Sequence, residues 1–185
     1  MIKEAVQDAE RRMRSAIKSL QEDLAGIRTG RANPGLVEKL SVEYYGSPVP
    51  LIQLATISVP EPRQLLIKPF DAGSIKDIDR AIQSSDLGLT PINDGKVIRL
   101  NLPVLTEERR RELSKFVNNR LEEARVAVRN VRRDAIKDMR EFEDEKLISE
   151  DDLKRGEEDI QKLTDRITKE ITSIGAEKEK EIMEI

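Results

Sequence analysis

Four arginines lie close together in the segment Arg125-Val-Ala-Val-Arg129-Asn-Val-Arg132-Arg133. On a helix, at about 100° per residue, Arg125, Arg129 and Arg132 fall within an arc of ~60°, and Arg133 flanks them. Arginine suits phosphate because its planar guanidinium fork donates several hydrogen bonds at once. The segment contains no acid, although charged helices are usually stabilised by acids one turn away. The pattern favours phosphate binding, but an ordinary solvated face remains an alternative.

Residue types that commonly carry out catalysis are scarce in the chain. It contains no His and no Cys, which are the usual acid/base group near neutral pH and the usual thiolate nucleophile. Carboxylates abound, so an enzyme that uses them remains an alternative, but we predict no catalytic, cofactor-binding or metal-binding residue. No nucleotide-binding glycine motif is present, and Thr29-Gly30-Arg31 follows a helix and precedes Pro34, which is the wrong context for a phosphate-binding turn.

Two further features leave alternatives open. Tyr44-Tyr45-Gly46 could form a platform for stacked bases, but we favour a strand end packed beneath a sheet. Residues 141–159 contain ten acids and three bases, so charge is unevenly placed although the net charge is only -3. Such asymmetry could orient the protein on a polyanion. It could also mark a helical adaptor that binds another protein, with RNA contacts incidental.

Three amphipathic stripes indicate the helices that would position these residues. The first stripe ends near Arg28, and we expect Gly30 to cap that helix. The second begins after Thr106 and the third after Ser149, where Asp152 would complete a weak capping box. The second stripe, which contains the arginine segment, consists of Leu113, Val117, Leu121, Ala124, Val128, Val131, Ala135, Met139 and Phe142. Because each stripe must be buried, we predict an antiparallel three-helix bundle.

A different kind of structure is predicted between the first two helices, where all eight prolines lie, since proline is excluded from helix interiors. Strands are predicted at residues 37–45, 54–59, 64–70 and 97–102, with a helix at 74–87 and a turn at 93–95. The predicted fold class is α+β. Residues 1–30 and 104–185 would form an elongated three-helix bundle, and residues 31–103 would form an inserted β/α/β domain.

Two short connections join the predicted domains, Gly30-Arg31-Ala32 and Pro103-Val104-Leu105. A pair of short parallel connections is typical of a hinge, and a rigid corner packed by Leu102 and Leu105 is an equal alternative. No apolar run approaches the roughly 20 residues that span a bilayer, and the start of the chain has no signal-peptide pattern. We therefore expect a cytoplasmic protein without membrane contact, and a monomer.

Six motifs occur in an order and spacing that resemble the ribosome recycling factor family along nearly the whole chain. They are Ile27-Arg-Thr-Gly-Arg-Ala-Asn-Pro34, Val42-Glu-Tyr-Tyr-Gly46, Ser85-Asp-Leu-Gly-Leu89, Leu105-Thr-Glu-Glu-Arg-Arg110, Glu123-Ala-Arg-Val-Ala-Val-Arg-Asn-Val-Arg-Arg133 and Ile160-Gln-Lys-Leu-Thr-Asp165. Two departures stand out. Val104 lies where the family often has a second proline, and Thr90 lies where it often has asparagine.

The resemblance implies an L-shaped molecule and a non-catalytic role after termination of translation. The bundle would bind large-subunit ribosomal RNA and reach the inter-subunit bridge region of the ribosome. Elongation factor G, with GTP, would act on the smaller domain, so that the subunits separate and release messenger RNA and deacylated transfer RNA. By position, Arg129 and Arg132 would contact the ribosomal RNA, supported by Arg125 and Arg133. Arg28 and Arg31 match a second basic motif of the family.

Overall fold

A computed structural model describes residues 1–184 and divides the chain into two compact units. The first consists of Met1–Ile27 together with the chain from Thr106 onward, and the second of Arg28–Leu105. These boundaries lie three and two residues from those predicted at 30/31 and 103/104. The helices of the described chain are α1 (Ile2–Ala25), α2 (Ile75–Gln83), α3 (Glu107–Asp144) and α4 (Glu150–Met183).

The first unit is a three-helix bundle, and its ion pairs give the helix directions. Glu10 pairs with Arg166 (2.9 Å) and Arg14 with Glu170 (2.5 Å), so α1 and α4 run in the same direction. Asp134 pairs with Arg12 (2.7 Å) and Arg120 with Asp23 (2.5 Å), so α3 runs opposite to α1 and therefore also to α4. With 38 residues, α3 is about 57 Å long. The antiparallel bundle predicted from the stripes is confirmed.

The buried faces of the helices follow the predicted stripes. On α3 every predicted stripe residue from Leu113 to Met139 is buried, and Phe142 is half-buried. The two predicted N-caps are also present. The Thr106 hydroxyl accepts a hydrogen bond from the Arg109 N–H (3.1 Å), and Ser149 and Asp152 form a full capping box. Local sequence therefore determines where α3 and α4 begin.

The expected cap at Gly30 is wrong. Helix α1 ends at Ala25, and Gly26 occupies the C-cap in the right-handed region. Gly30 does have a positive φ of 78°, but its role lies in packing within the second unit. A Cβ at Gly30 would lie 3.2 Å from the Pro103 carbonyl oxygen, so the absence of a side chain allows these two backbone segments to approach closely.

The second unit contains a hairpin and a four-stranded sheet, with α2 packed against them. The strands are β1 (Ser41–Tyr44), β2 (Ser47–Pro50), β3 (Ala55–Glu61), β4 (Gln64–Pro69), β5 (Pro91–Asn93) and β6 (Ile98–Asn101). Strands β1 and β2 form the hairpin, and the antiparallel sheet has the order β3-β4-β6-β5. Fully buried side chains of the core include Val42, Leu65, Ile67, Ile78, Ile82, Ile98 and Leu100. Among the described helices, none is long and apolar enough to cross a bilayer.

Candidate nucleic-acid interface

Helix α3 places the four arginines beside its buried stripe, because Ala124, Val128 and Val131 face the bundle interior. Arg129 and Arg133 are exposed, whereas Arg125 and Arg132 are half-buried. Their long apolar stems can therefore pack along the bundle while the charged ends reach solvent. One continuous helix thus holds all four guanidinium groups at fixed spacing.

Two of the four arginines are partly neutralised by Glu122. Its carboxylate pairs with Arg129 at 2.7 Å and with Arg125 at 3.8 Å, and Arg125 also donates to the Thr172 hydroxyl (3.3 Å). The hydrogen bond from Arg129, followed by the positive charges of Arg129 and Arg125, lowers the pKa of Glu122. Glu122 lies three residues before the arginine segment, and its pairing with Arg129 and Arg125 depends on side-chain conformations that the sequence does not give.

Arg132 and Arg133 form no ion pair within the described part of the chain. The Nε of Arg132 is buried and has no hydrogen-bond partner in the described chain, but the same holds for Arg110 and for the ion-paired Arg120, so the missing ion pair and not this atom distinguishes Arg132. The positive charge of the segment is therefore uncompensated mainly at its C-terminal end. These two arginines are the groups best placed to accept an external anion.

A shallow depression of ≈ 510 Å³ surrounds this end of the segment, lined by Arg129, Arg132, Arg133, Ile136, Lys137, Arg140, Glu141 and Asp144. Lys137 pairs with Glu141 (3.7 Å) and Arg140 with Glu157 (3.1 Å). Arg129, Lys137 and Arg140 are thus each balanced by an acid. The unpaired Arg132 and Arg133 lie between Arg129 and Lys137 along the helix. An open basic surface of this kind can follow a phosphate backbone, and such contacts position a nucleic acid without specifying its sequence.

Arg28 and Arg31, the second basic motif, are exposed and belong to the other compact unit. Arg28 donates to the Leu87 carbonyl oxygen at 3.3 Å. All six predicted hinge residues also lie in this unit. The inner ends of the two connections are fixed to neighbouring residues, since the Ala32 N–H donates to the Pro62 oxygen (2.7 Å) and the Leu102 N–H to the Arg63 oxygen (2.8 Å).

The tyrosine pair differs from the interpretation favoured by the sequence. Tyr44 is half-buried and its hydroxyl lies 3.4 Å from an Asp71 carboxylate oxygen, but the Tyr45 side chain is 85% exposed. The two rings meet edge to face with centroids 4.5 Å apart. Packing of the pair beneath a sheet is therefore wrong for Tyr45.

Among residues 1–184, no group of acidic side chains is arranged to hold a metal ion.

The chain is an α+β protein of two units. One unit is a three-helix bundle with the arginine segment on its longest helix, and the other is a small sheet unit inserted between the first and second helices of the bundle. The sequence model of the family described as "Ribosome recycling factor" matches residues 20–183. The chain belongs to the ribosome recycling factor family. The family predicted from the six motifs is thereby confirmed.

Relatives and solved structures agree over the full length of the chain. It is 58% identical to the ribosome-recycling factor of Chloroflexus aurantiacus and 57% identical to that of Halalkalibacterium halodurans, over 185 residues and 100% of both chains in each case. A solution structure of ribosome recycling factor superposes with a TM-score of 0.74 at 47% identity, covering 100% of this chain and 98% of the other. A second structure has a TM-score of 0.63 at 43% identity and covers 100% of both chains. It is described as models for the T. thermophilus ribosome recycling factor and the E. coli elongation factor G bound to the E. coli post-termination complex.

Proposed function

We propose that this protein binds the post-termination ribosome and, with elongation factor G and GTP, splits it into subunits, so that messenger RNA and deacylated transfer RNA are released. The observation that supports this function is the family match over residues 20–183. In this proposal the chain is not an enzyme, and elongation factor G carries out the GTP chemistry. A cytoplasmic location is part of the proposal, because bacterial ribosomes work there.

The proposed anchor is the arginine segment of α3, which would bind large-subunit ribosomal RNA. Arg132 and Arg133 are the primary contacts, since they have no acid partner within residues 1–184. Arg129 and Arg125 contribute by exchanging Glu122 for a phosphate. Contacts to phosphate fit folded RNA, because the major groove of A-form helices hides the base edges from side chains. Arg28 and Arg31 form a second RNA contact in the other unit.

The proposed mechanism needs a hinge formed by Gly30-Arg31-Ala32 and Pro103-Val104-Leu105. The bundle stays anchored to the ribosome, and elongation factor G moves the inserted unit, which transmits force to the subunit interface. The close approach of Gly30 to the Pro103 oxygen supports connections that move as a pair, because the two segments pack against each other within the inserted unit.

The direct test is a subunit-splitting assay with purified post-termination ribosomes, elongation factor G and GTP, followed by light scattering. We expect scattering to fall only when the protein, elongation factor G and GTP are all present. Omission of each component in turn is the control. Intact ribosomes in the complete reaction would refute the proposed function.

The hinge can be tested separately, since the chain has no cysteine and one introduced pair therefore supplies its only thiols. A cross-link between one cysteine in each unit should leave ribosome binding intact and abolish splitting, and reduction should restore it. Equal splitting by the cross-linked protein would exclude movement at the connections.

A further inference from the structure

The end of helix α1 is one of two places where the chain leaves the bundle. The chain passes between the two compact units after Ile27 and before Thr106, so the inserted unit is tied to the end of α1 and to the start of α3. In the proposed function this unit moves while the bundle stays anchored. The movement therefore pulls on these two helix ends, and a helix end that unwound would absorb it.

The two helix ends are stabilised differently. The start of α3 has the Thr106 cap, which satisfies a backbone donor of its first turn. The end of α1 lacks the left-handed glycine that closes many helices, since Gly26 is in the right-handed region. Its last turn contains Glu22 and Asp23 and no lysine or arginine, although acids are unfavourable at the negative end of the helix dipole. The local sequence therefore does little to stabilise the end of α1.

Arg120 of α3 compensates for this from the neighbouring helix. Its guanidinium pairs with the Asp23 carboxylate (2.5 Å) and with Glu123 of its own helix (2.7 Å). The Arg120 side chain is 16% exposed, whereas the other arginines that pair between helices within residues 1–184 are 43–64% exposed. Solvent and salt weaken exposed ion pairs most, so the Arg120–Asp23 pair is screened less than the others.

Apolar packing of α1 stops in the same turn. Leu24 is the last buried residue of the helix, and Ala25 and Gly26 are exposed. Asp23 is next to Leu24, so its pair with Arg120 acts where apolar packing ends. Without the pair, one buried side chain would hold this turn, and the Asp23 carboxylate would be left unpaired at the negative end of the helix. Helix ends with so few buried contacts open locally without global unfolding.

We propose that Arg120 is a positioning residue for subunit splitting. Its pair with Asp23 keeps the last turn of α1 folded against α3, so that movement of the inserted unit reaches the bundle. This inference rests on the proposed function and adds a residue that the movement requires. Arg120 acts separately from the arginine segment, because its guanidinium is occupied by two acids.

The test compares Arg120→Met with Arg12→Met. Methionine keeps a long, flexible apolar side chain at the half-buried position and removes the charge. Arg12 is the matched control, because it also joins α1 to α3, through Asp134 (2.7 Å), but lies far from the end of α1. For each variant we would measure amide hydrogen exchange in residues 20–27, affinity for ribosomes alone, and the splitting rate at increasing concentrations of elongation factor G.

We expect Arg120→Met to exchange amide hydrogens in the last turn of α1 at least about tenfold faster than the wild type. Its splitting rate at saturating elongation factor G should fall at least about threefold. Ribosome affinity and the concentration of elongation factor G for half-maximal rate should be unchanged, because neither binding step uses Arg120. Adding Asp23→Asn should recover part of both losses, since no unpaired Asp23 carboxylate then remains. Arg12→Met should show neither loss.

Each other outcome has a defined meaning. Wild-type exchange or a wild-type splitting rate in Arg120→Met would overturn the inference and leave the proposed function intact. An equal loss in Arg12→Met would also overturn it, since general destabilisation of the bundle would then be the cause. Weaker ribosome binding by Arg120→Met, or no recovery on adding Asp23→Asn, would do the same. Failure of the wild-type protein to split ribosomes would refute the proposed function, and the inference with it.

Discussion

At the scale of single residues, charge pairing decides which arginines of α3 can bind phosphate. The sequence alone predicts the segment and the face on which it lies, because both depend only on helical periodicity. It does not predict that Glu122 engages Arg129 and Arg125 while Arg132 and Arg133 are left without an acid, since that depends on side-chain conformation and on the neighbouring helix. Only the spacing of Glu122, three and seven residues before its partners, could have suggested it.

Replacing Glu122 by glutamine should strengthen binding to large subunits. The substitution keeps the size of the side chain and removes the charge that competes with phosphate for Arg129. Exposed ion pairs of this kind are weak, so we expect the affinity for large subunits to rise by no more than about fivefold. Glu112→Gln is the matched control, because Glu112 pairs with Arg109 (3.0 Å) elsewhere on the same helix. Equal or weaker binding by Glu122→Gln would argue against competition at this site.

At the scale of elements, the helices were predictable and some strands were not. Apolar residues at helical spacing and polar N-caps are local signals, and they predict α3 and α4 well. Strands β2 and β5 were missed because they contain Pro48, Pro50 and Pro91 and owe their conformation to pairing with β1 and β6. The cap predicted at Gly30 is wrong. Its positive φ allows the backbone to pass close to Pro103, and no local sequence signal predicts a contact between residues so far apart in the chain.

Gly175 of α4 should be required for close packing against α3. Alanine favours helix over glycine by about 1 kcal/mol, but a Cβ at this position would collide with Leu121. Overpacking costs about 1–3 kcal/mol, so after the gain in helix propensity we expect Gly175→Ala to lower the free energy of unfolding by up to about 2 kcal/mol, measured by urea denaturation. Exposed Ser173→Ala on the same helix should change it by less than about 0.5 kcal/mol. The cost of Gly175→Ala should shrink in a Leu121→Ala background, and stabilisation by Gly175→Ala would contradict the packing argument.

The capping box of α4 should make stability depend on pH in the acid range. Hydrogen bonding to the Ser149 side chain, followed by its backbone N–H, lowers the pKa of Asp152 from its ordinary value of 3.8. Because the folded state favours the carboxylate, this stabilisation is complete above pH 3.8 and is lost as the pH falls through the lower pKa of the folded state. We expect Asp152→Asn to be less stable than the wild type at neutral pH.

The difference between Asp152→Asn and the wild type should narrow below pH 3.8, as urea denaturation from pH 7 to pH 2 would show. Asp151→Asn, one residue away and outside the capping box, is the control. A stability difference that stayed constant across this range would mean that the Asp152 carboxylate is not responsible.

At the scale of the whole molecule, the two compact units carry different parts of the proposed function. The bundle holds the unpaired arginines at one fixed spacing on a 38-residue helix, and the same helix leads into the acidic residues 141–159. A protein with this charge distribution is oriented on a polyanion better than its net charge of -3 would suggest. The uneven distribution of charge was predictable because it depends only on which residue types occur where in the sequence. The family was predictable because six motifs occur in a matching order and spacing.

Arg132 is proposed to help anchor the protein to ribosomal RNA, and a titration of purified large subunits at several salt concentrations tests this most directly. The wild type, Arg132→Ala and Arg111→Ala are compared. Arg111 lies on the same helix but is paired with Glu107 (2.7 Å), so its variant controls for loss of one arginine. Circular dichroism of each protein would check that helicity is retained.

We expect wild-type affinity to fall steeply with salt, because bound counterions are released from the RNA. Arg132→Ala should bind at least about tenfold more weakly, with a slope of log affinity against log salt smaller by about one, while Arg111→Ala should resemble the wild type. Equal binding by Arg132→Ala and the wild type at every salt concentration would contradict the claim, and the arginine segment would then be a solvated face.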